Sequence, residues 1–170
     1  HVNLGSHWQS AVWQCAVLVC GATLGPAAAG QWTVAAQPVV AGEQLALVGT
    51  DPFGMPPAQV PAGALDAARE VRAMPDALMI TPATGQWAVS DGPNTWTHAQ
   101  LGDMARAQVA SADARIAVIG QGTIQSAALW HVAVPVLAGA AVVLSHAPLS
   151  PEVIAQERIS QVVEIGRAHV

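Results

Sequence analysis

In RIAVIGQGTIQSAALWHVAVPVLAGAAVVL (residues 115–144), an apolar run of strand length meets a glycine turn, a helical stretch and a second apolar run. Arg115–Gly120 is continuous in Ile, Ala and Val, as expected of a strand buried on both faces. Gly120 and Gly122 break the run, and residues 123–139 read as a helix that Gly139 ends and Pro135 kinks. Residues 140–144, AAVVL, read as the next strand. The competing reading joins residues 127–144 into one membrane span, which needs about 20 apolar residues. His131, Pro135 and Gly139 interrupt that span, and no arginine flanks it closely. A buried helix turning into a buried strand is therefore the better account.

The same alternation continues outward. Ser6 caps a helix running to about Cys20, with Gly21 just past its end. WTVAA (32–36), LALVGT (45–50) and ALMI (77–80) read as strands, DPFGMPP (51–57) as a proline-rich turn, and AGALDAAREVRAM (62–74) as an amphipathic helix. THAQLGDMARAQVAS (97–111) is a helix with Thr97 as its cap, and SPEVIAQER (150–158) and ISQVV (159–163) make a last helix and strand. Strands alternating with helices predict an α/β domain, a mostly parallel sheet with flanking helices, with buried strands at 45–50, 115–120 and 140–144.

Composition narrows the function classes. The 170 residues are 52% hydrophobic and 10% charged, which implies a globular domain with a sizeable core. A net charge of −5 leaves no basic footprint for nucleic acid. All six basic residues are arginines, so every mechanism that needs a lysine is removed. Cys15 and Cys20 point about 140° apart on one helix, which excludes a mutual disulfide and predicts buried thiols in a reducing cytoplasm. SAVWQCAVLVC has no basic flank of the kind a signal peptide carries. The chain opens without methionine, as if upstream sequence were missing, and EIGRAHV (164–170) reads as sequencing-adapter read-through outside the fold.

Few motifs carry chemistry. Gly120-x-Gly122 stands where a dinucleotide fingerprint would, but Gln125 replaces the third glycine and no acid follows about 20 residues on. A plain glycine turn explains it better. There is no G-x-S-x-G elbow, and His7, His98, His131 and His146 lack the partners of a zinc site. His98, just after the Thr97 cap, is more simply a first-turn residue on a solvated face. Trp8, Trp13 and Trp130 are expected as core anchors, whereas Trp32, Trp87 and Trp96 fall near loops.

The order of segments resembles the acyl-adenylate-forming enzymes (the AMP-binding, acyl-CoA synthetase superfamily). SHWQSAVWQCAVLVCGATLGP is similar to their helix-and-glycine segment. ALWHVAVPVLAGAAVVLSHAPLSPEVIAQERISQVV resembles a later region of theirs, and WTHAQL resembles the [ST]-H-x-x-L after their phosphate loop. DPFGMP, the W…DG…TH-x-QL pattern and VAVPVLAGA-x-VVL are also similar to a group of short actinobacterial proteins that look like only the N-terminal part of such an enzyme. The resemblance covers nearly all of residues 4–163.

It implies a fold like the N-terminal subdomain of those enzymes, over residues 1–163, and a ligand site at residues 81–98. The superfamily loop reads T-S-G-T-T-G-x-P-K-G. Thr81, Thr84 and Gly85 can be set against its start, or Gly92 and Pro93 against its end, but not both at the family's spacing. Asn94 stands where the family has lysine. An amide there forfeits a Coulomb interaction with polyphosphate of about 4 kcal/mol for a near-surface pair. The expectation is a degenerate phosphate loop, with Thr81, Thr84, Gly85, Gly92, Asn94, Thr97 and His98 as its residues and none catalytic. No metal or cofactor is expected, with ATP or AMP and magnesium entering only if the loop still binds nucleotide. The function implied is that of a non-catalytic protein acting through a protein partner or a small acyl or nucleotide ligand. The alternatives are an acyl-adenylate ligase lacking its C-terminal half, and an unrelated nucleotide-binding domain built on Gly120 and Gly122.

Overall fold

A computed structural model describes residues 1–27, 31–39, 44–75, 77, 85–108 and 111–166. Among them the chain is mixed α/β, with two parallel sheets and one antiparallel hairpin. The first sheet runs in sequence order through β1 (Val2–Asn3), β2 (Trp32–Ala35), β3 (Gln44–Leu47) and β4 (Ala64–Asp66). The hairpin is β5 (Trp87–Asp91) with β6 (Asn94–Thr97). The second sheet has β7 (Arg115–Ile119) at its centre, between β8 (Ala141–Ser145) and β9 (Gln161–Glu164). The strands expected at 32–36 and 45–50 thus lie in one sheet and those at 115–120, 140–144 and 159–163 in another. The expected strand at 77–80 lies outside the described residues, apart from Ala77.

Residues 127–144 are a helix followed by a strand. α4 (Ile124–Ala127) opens into a π-helical turn over Ala128–Ala133 and continues as α5 (Val134–Ala138). Pro135 is the second residue of α5, directly after the π turn; having no N–H, it leaves the His131 carbonyl without its usual helical donor. Gly139, in the left-handed region at φ 67°, ends the helix.

The main core joins Ile116 and Val118 of β7 to Leu129, Val132 and Val134, to Ala88 and Val89 of the hairpin, and to Leu101 and Ala105 of α3 (His98–Ala107). A smaller core holds Leu4, Val34, Ala46, Val48 and Ala67. Helix α1 (Trp8–Val19) serves both, through Leu18 on one side and Trp13 on the other. β7 is buried almost throughout, whereas β8 is only half-buried, because it edges the sheet.

Several expectations change. His7, not Ser6, caps α1, its ring accepting from the Gln9 N–H at 3.3 Å. The helix expected over 62–74 begins as strand β4, and α2 is only Ala67–Arg72, capped by the Asp66 carboxylate. Pairing with β3 outweighs helical periodicity there, and Asp66 marks the switch. Cys20 is exposed and Cys15 half-buried, so the pair are not buried thiols. Trp8 is exposed rather than a core anchor. The segment set aside at 164–170 takes part in the fold as far as it is described: Glu164 closes β9 and Ile165 is buried in the main core. Residues 167–170 lie outside the described residues.

Candidate functional site

Residues 85–98 form the hairpin and the start of α3. Asp91 pairs with Asn94, leaving Gly92 and Pro93 as a two-residue turn with Gly92 at φ 67°. Glycine at the first central position with positive φ is what a type II′ hairpin turn requires. Gly85, Gly92 and Asn94 are all exposed, and none lines either of the two depressions described below. Thr97 has both its polar groups engaged at the helix start. Its hydroxyl accepts from the Gln100 N–H at 3.2 Å, and its own N–H donates to Gln100 Oε1 at 2.9 Å, forming a capping box. His98 is half-buried, its Nε2 has no hydrogen-bond partner, and desolvation lowers its pKa. It is therefore not on a solvated face. Arg106, two turns on, is paired with Asp103 at 2.7 Å. Thr81 and Thr84 lie outside the described residues.

The concave site lies elsewhere, at the carboxyl end of β7. A cleft of about 220 Å³ opens beside the Gly120–Gly122 turn, bounded by β1, α1, Leu24 and the α4–π helix. In open α/β sheets this end of a strand is where ligands bind, most often where successive crossovers leave for opposite faces. β7 is the middle strand of its sheet: the chain passes from it through α4 and α5 to β8, and from β8 through α6 (Pro151–Gln156) to β9 on the other side.

The two glycines answer to packing. A Cβ on Gly120, at φ 90°, would lie 2.7 Å from the Ile165 carbonyl oxygen. One on Gly122 would collide with the Ser126 hydroxyl and lie 3.0 Å from Ile165 Cβ. The segment after β9 crosses directly over the turn, so the glycine-turn reading has a structural cause.

The polar lining of the cleft, Ser10, Gln14 and His131, and the buried polar groups beside it were missed in sequence. Helix α1 buries Gln9, Ser10 and Gln14 while exposing Trp8 and Val12. Gln9 Nε2 donates to the Gly49 carbonyl at 2.9 Å, and the Ser6 hydroxyl to the Gly120 carbonyl at 2.8 Å. Gln14 Nε2 lies 2.9 Å from Ser10 Oγ and 3.5 Å from His131 Nδ1. Gln14 and His131 are each only 6% exposed, yet Gln14 Oε1 and His131 Nε2 have no partner. Burial lowers the His131 pKa to about 4, so the ring is neutral at pH 7. The sequence signal was the spacing of Ser10 and Gln14, four residues apart on one face of α1.

No carboxylate or guanidinium side chain lines this cleft. The ring and amino group of His1, at its edge, are bonded to the carbonyls of Gly25 and Trp32. A second, open depression lies along the 51–57 turn, where both Asp51 oxygens accept from that turn's own N–H groups (Phe53 at 2.8 Å, Met55 at 2.6 Å). Among the described residues no group of three His, Cys, Asp or Glu side chains is placed to hold a metal, and no helix is long and apolar enough to cross a membrane. No family model matches the chain, and neither does any curated protein or any solved structure.

Proposed function

We propose that this chain is a non-catalytic, acyl-CoA-synthetase-like α/β domain with a degenerate phosphate loop, which acts by binding a partner or a small ligand. The observation that supports this reading is the two-residue turn at Gly92–Pro93. A triphosphate is held by a loop of converging backbone N–H groups and a cation. Here Asp91 and Asn94 already pair across the turn, the Thr97 N–H and hydroxyl are taken by the capping box, and Asp91 adds a negative charge. The whole sequence has no lysine, and Arg106 is engaged by Asp103. Acyl-adenylate formation expels pyrophosphate with growing negative charge, which preorganised cations and donors must stabilise. The compartment we propose is the cytoplasm, supported by the two unpaired cysteines.

The test is carboxylate-dependent ATP–pyrophosphate exchange across short, long and aromatic acids. Exchange indistinguishable from a protein-free blank is expected. Exchange above the blank that is lost on Thr84→Ala or His98→Ala would restore an active ligase.

A further inference from the structure

Helix α1 buries Gln9, Ser10 and Gln14 yet leaves apolar side chains in solvent: Trp8 is 47% exposed, Val12 53% and Val19 38%. With half-buried Cys15 they stand at positions 8, 12, 15 and 19, the alternating four- and three-residue spacing of a helix–helix seam. The apolar surface continues onto the 51–57 turn. Gly54 lies against the Trp8 ring, where a Cβ would come within 3.4 Å of it, and the flanking Phe53 and Met55 are 88% and 57% exposed. Trp8, Val12, Val19, Phe53 and Met55 together leave on the order of 500 Å² of apolar surface in water, as much as the largest patch on a typical monomer.

We propose that this face is an interface between two copies of the chain, built by antiparallel packing of α1 on α1. The four-three-four spacing reads the same in both directions. A two-fold axis midway between Val12 and Cys15 therefore sets Trp8 against Val19 of the second copy, and Val12 against its Cys15. Each larger side chain meets a smaller one. The same axis brings the Phe53–Met55 turn, beside Trp8, to the Val19 end of the other helix. Charge permits the pairing: α1 has no ionisable acid or base beyond its cysteines, and the sequence has no Asp, Glu, Lys or Arg before Glu43. Two copies so joined bring no like charges together, although each carries a net −5. They cover about 1,000 Å² in all, the size at which specific interfaces begin. A lipid surface suits the face less well. Interfacial helices carry Lys or Arg on their polar side, whereas α1 has neither and its polar side is buried in the domain.

Sedimentation velocity on the full chain at about 100 μM, where a micromolar interface is largely occupied, should give twice the 17.3 kDa mass. Val12→Glu places a carboxylate in the seam and should weaken the dimer at least about tenfold. Val19→Gln, at the seam's end, should weaken it too, and far-UV circular dichroism checks that each variant folds. Val136→Glu, on α5 and 66% exposed, should leave the mass unchanged. In a Cys15→Ser variant the two Cys20 positions lie about 20 Å apart along the helix axis, so mild oxidation should give no covalent dimer. A monomer at that concentration, or a dimer indifferent to both seam substitutions, would overturn the interface. Ready cross-linking through Cys20 would overturn its antiparallel sense. A monomer that co-sediments with phosphatidylcholine vesicles would assign the face to a lipid surface instead. None of these results bears on the exchange assay.

Discussion

Burial moves the His131 imidazole from its ordinary value of 6.5 to about 4, and that displacement links the cleft to stability. The unfolded chain takes up this proton near pH 6.5, the folded chain only near pH 4. Between those values the unfolded state binds more protons, so His131 makes folding less favourable as pH falls through the window and has no such effect above it. The displacement corresponds to roughly 3 kcal/mol at its full extent. Urea unfolding at pH 7.0 and pH 4.5 should show a marked loss of stability at the lower pH, and His131→Gln should flatten that slope. Equal slopes in the two proteins would show that the ring is not desolvated. Gly120 shows a backbone constraint of the same local kind: Gly120→Ala forces a side chain into positive φ at a cost of about 1–2 kcal/mol before any contact with Ile165 is counted. A urea midpoint unchanged by the substitution would contradict the geometry of the turn.

At the scale of elements, sequence and structure agree where one physical signal dominates. β7 is continuous in apolar residues, Gly139 supplies the left-handed stop, and Thr97 with Gln100 writes a capping box, so strand, helix end and helix start all fall close to where residue chemistry puts them. They part where tertiary pairing overrides a local pattern. Leu65, Ala68 and Val71 sit at helical spacing, yet Leu65 pairs with Ala46 in a parallel ladder and only the part after Asp66 is helical. The resemblance sets a degenerate phosphate loop at residues 81–98, and the described part of that stretch is a hairpin in which WAVSD and NTWT pair across Gly92–Pro93, a pairing the local pattern does not announce. The cleft was the least legible feature. Its glycines were visible as a turn, but its polar lining comes from α1 and His131, more than a hundred residues apart, and only the fold brings them together. The spacing of Ser10 and Gln14 puts two polar side chains on one face of α1 without naming what they meet.

At the scale of the whole molecule, the end of the described chain closes the main core over its central strand. The Ile165 N–H donates to the Ile119 carbonyl at 2.9 Å, its side chain is buried with Val118 and Leu129 in the same cluster, and its carbonyl roofs Gly120. Burying an isoleucine side chain is worth about 1.5–3 kcal/mol. For a domain of this size each kcal/mol moves the Tm by roughly 2–4 °C. A chain ending at Val163 should therefore melt roughly 5 °C lower, whereas an unchanged Tm would place residues 164–166 outside the cooperative unit, as their reading as adapter sequence requires. Combining that truncation with Gly120→Ala separates two contributions. The φ penalty at Gly120 persists without Ile165, while the steric conflict with its carbonyl disappears. The two changes should thus be less than additive, because sites in direct contact couple. Strict additivity would mean that the segment after β9 does not rest on the glycine turn, and the packing account of Gly120 would fall with it.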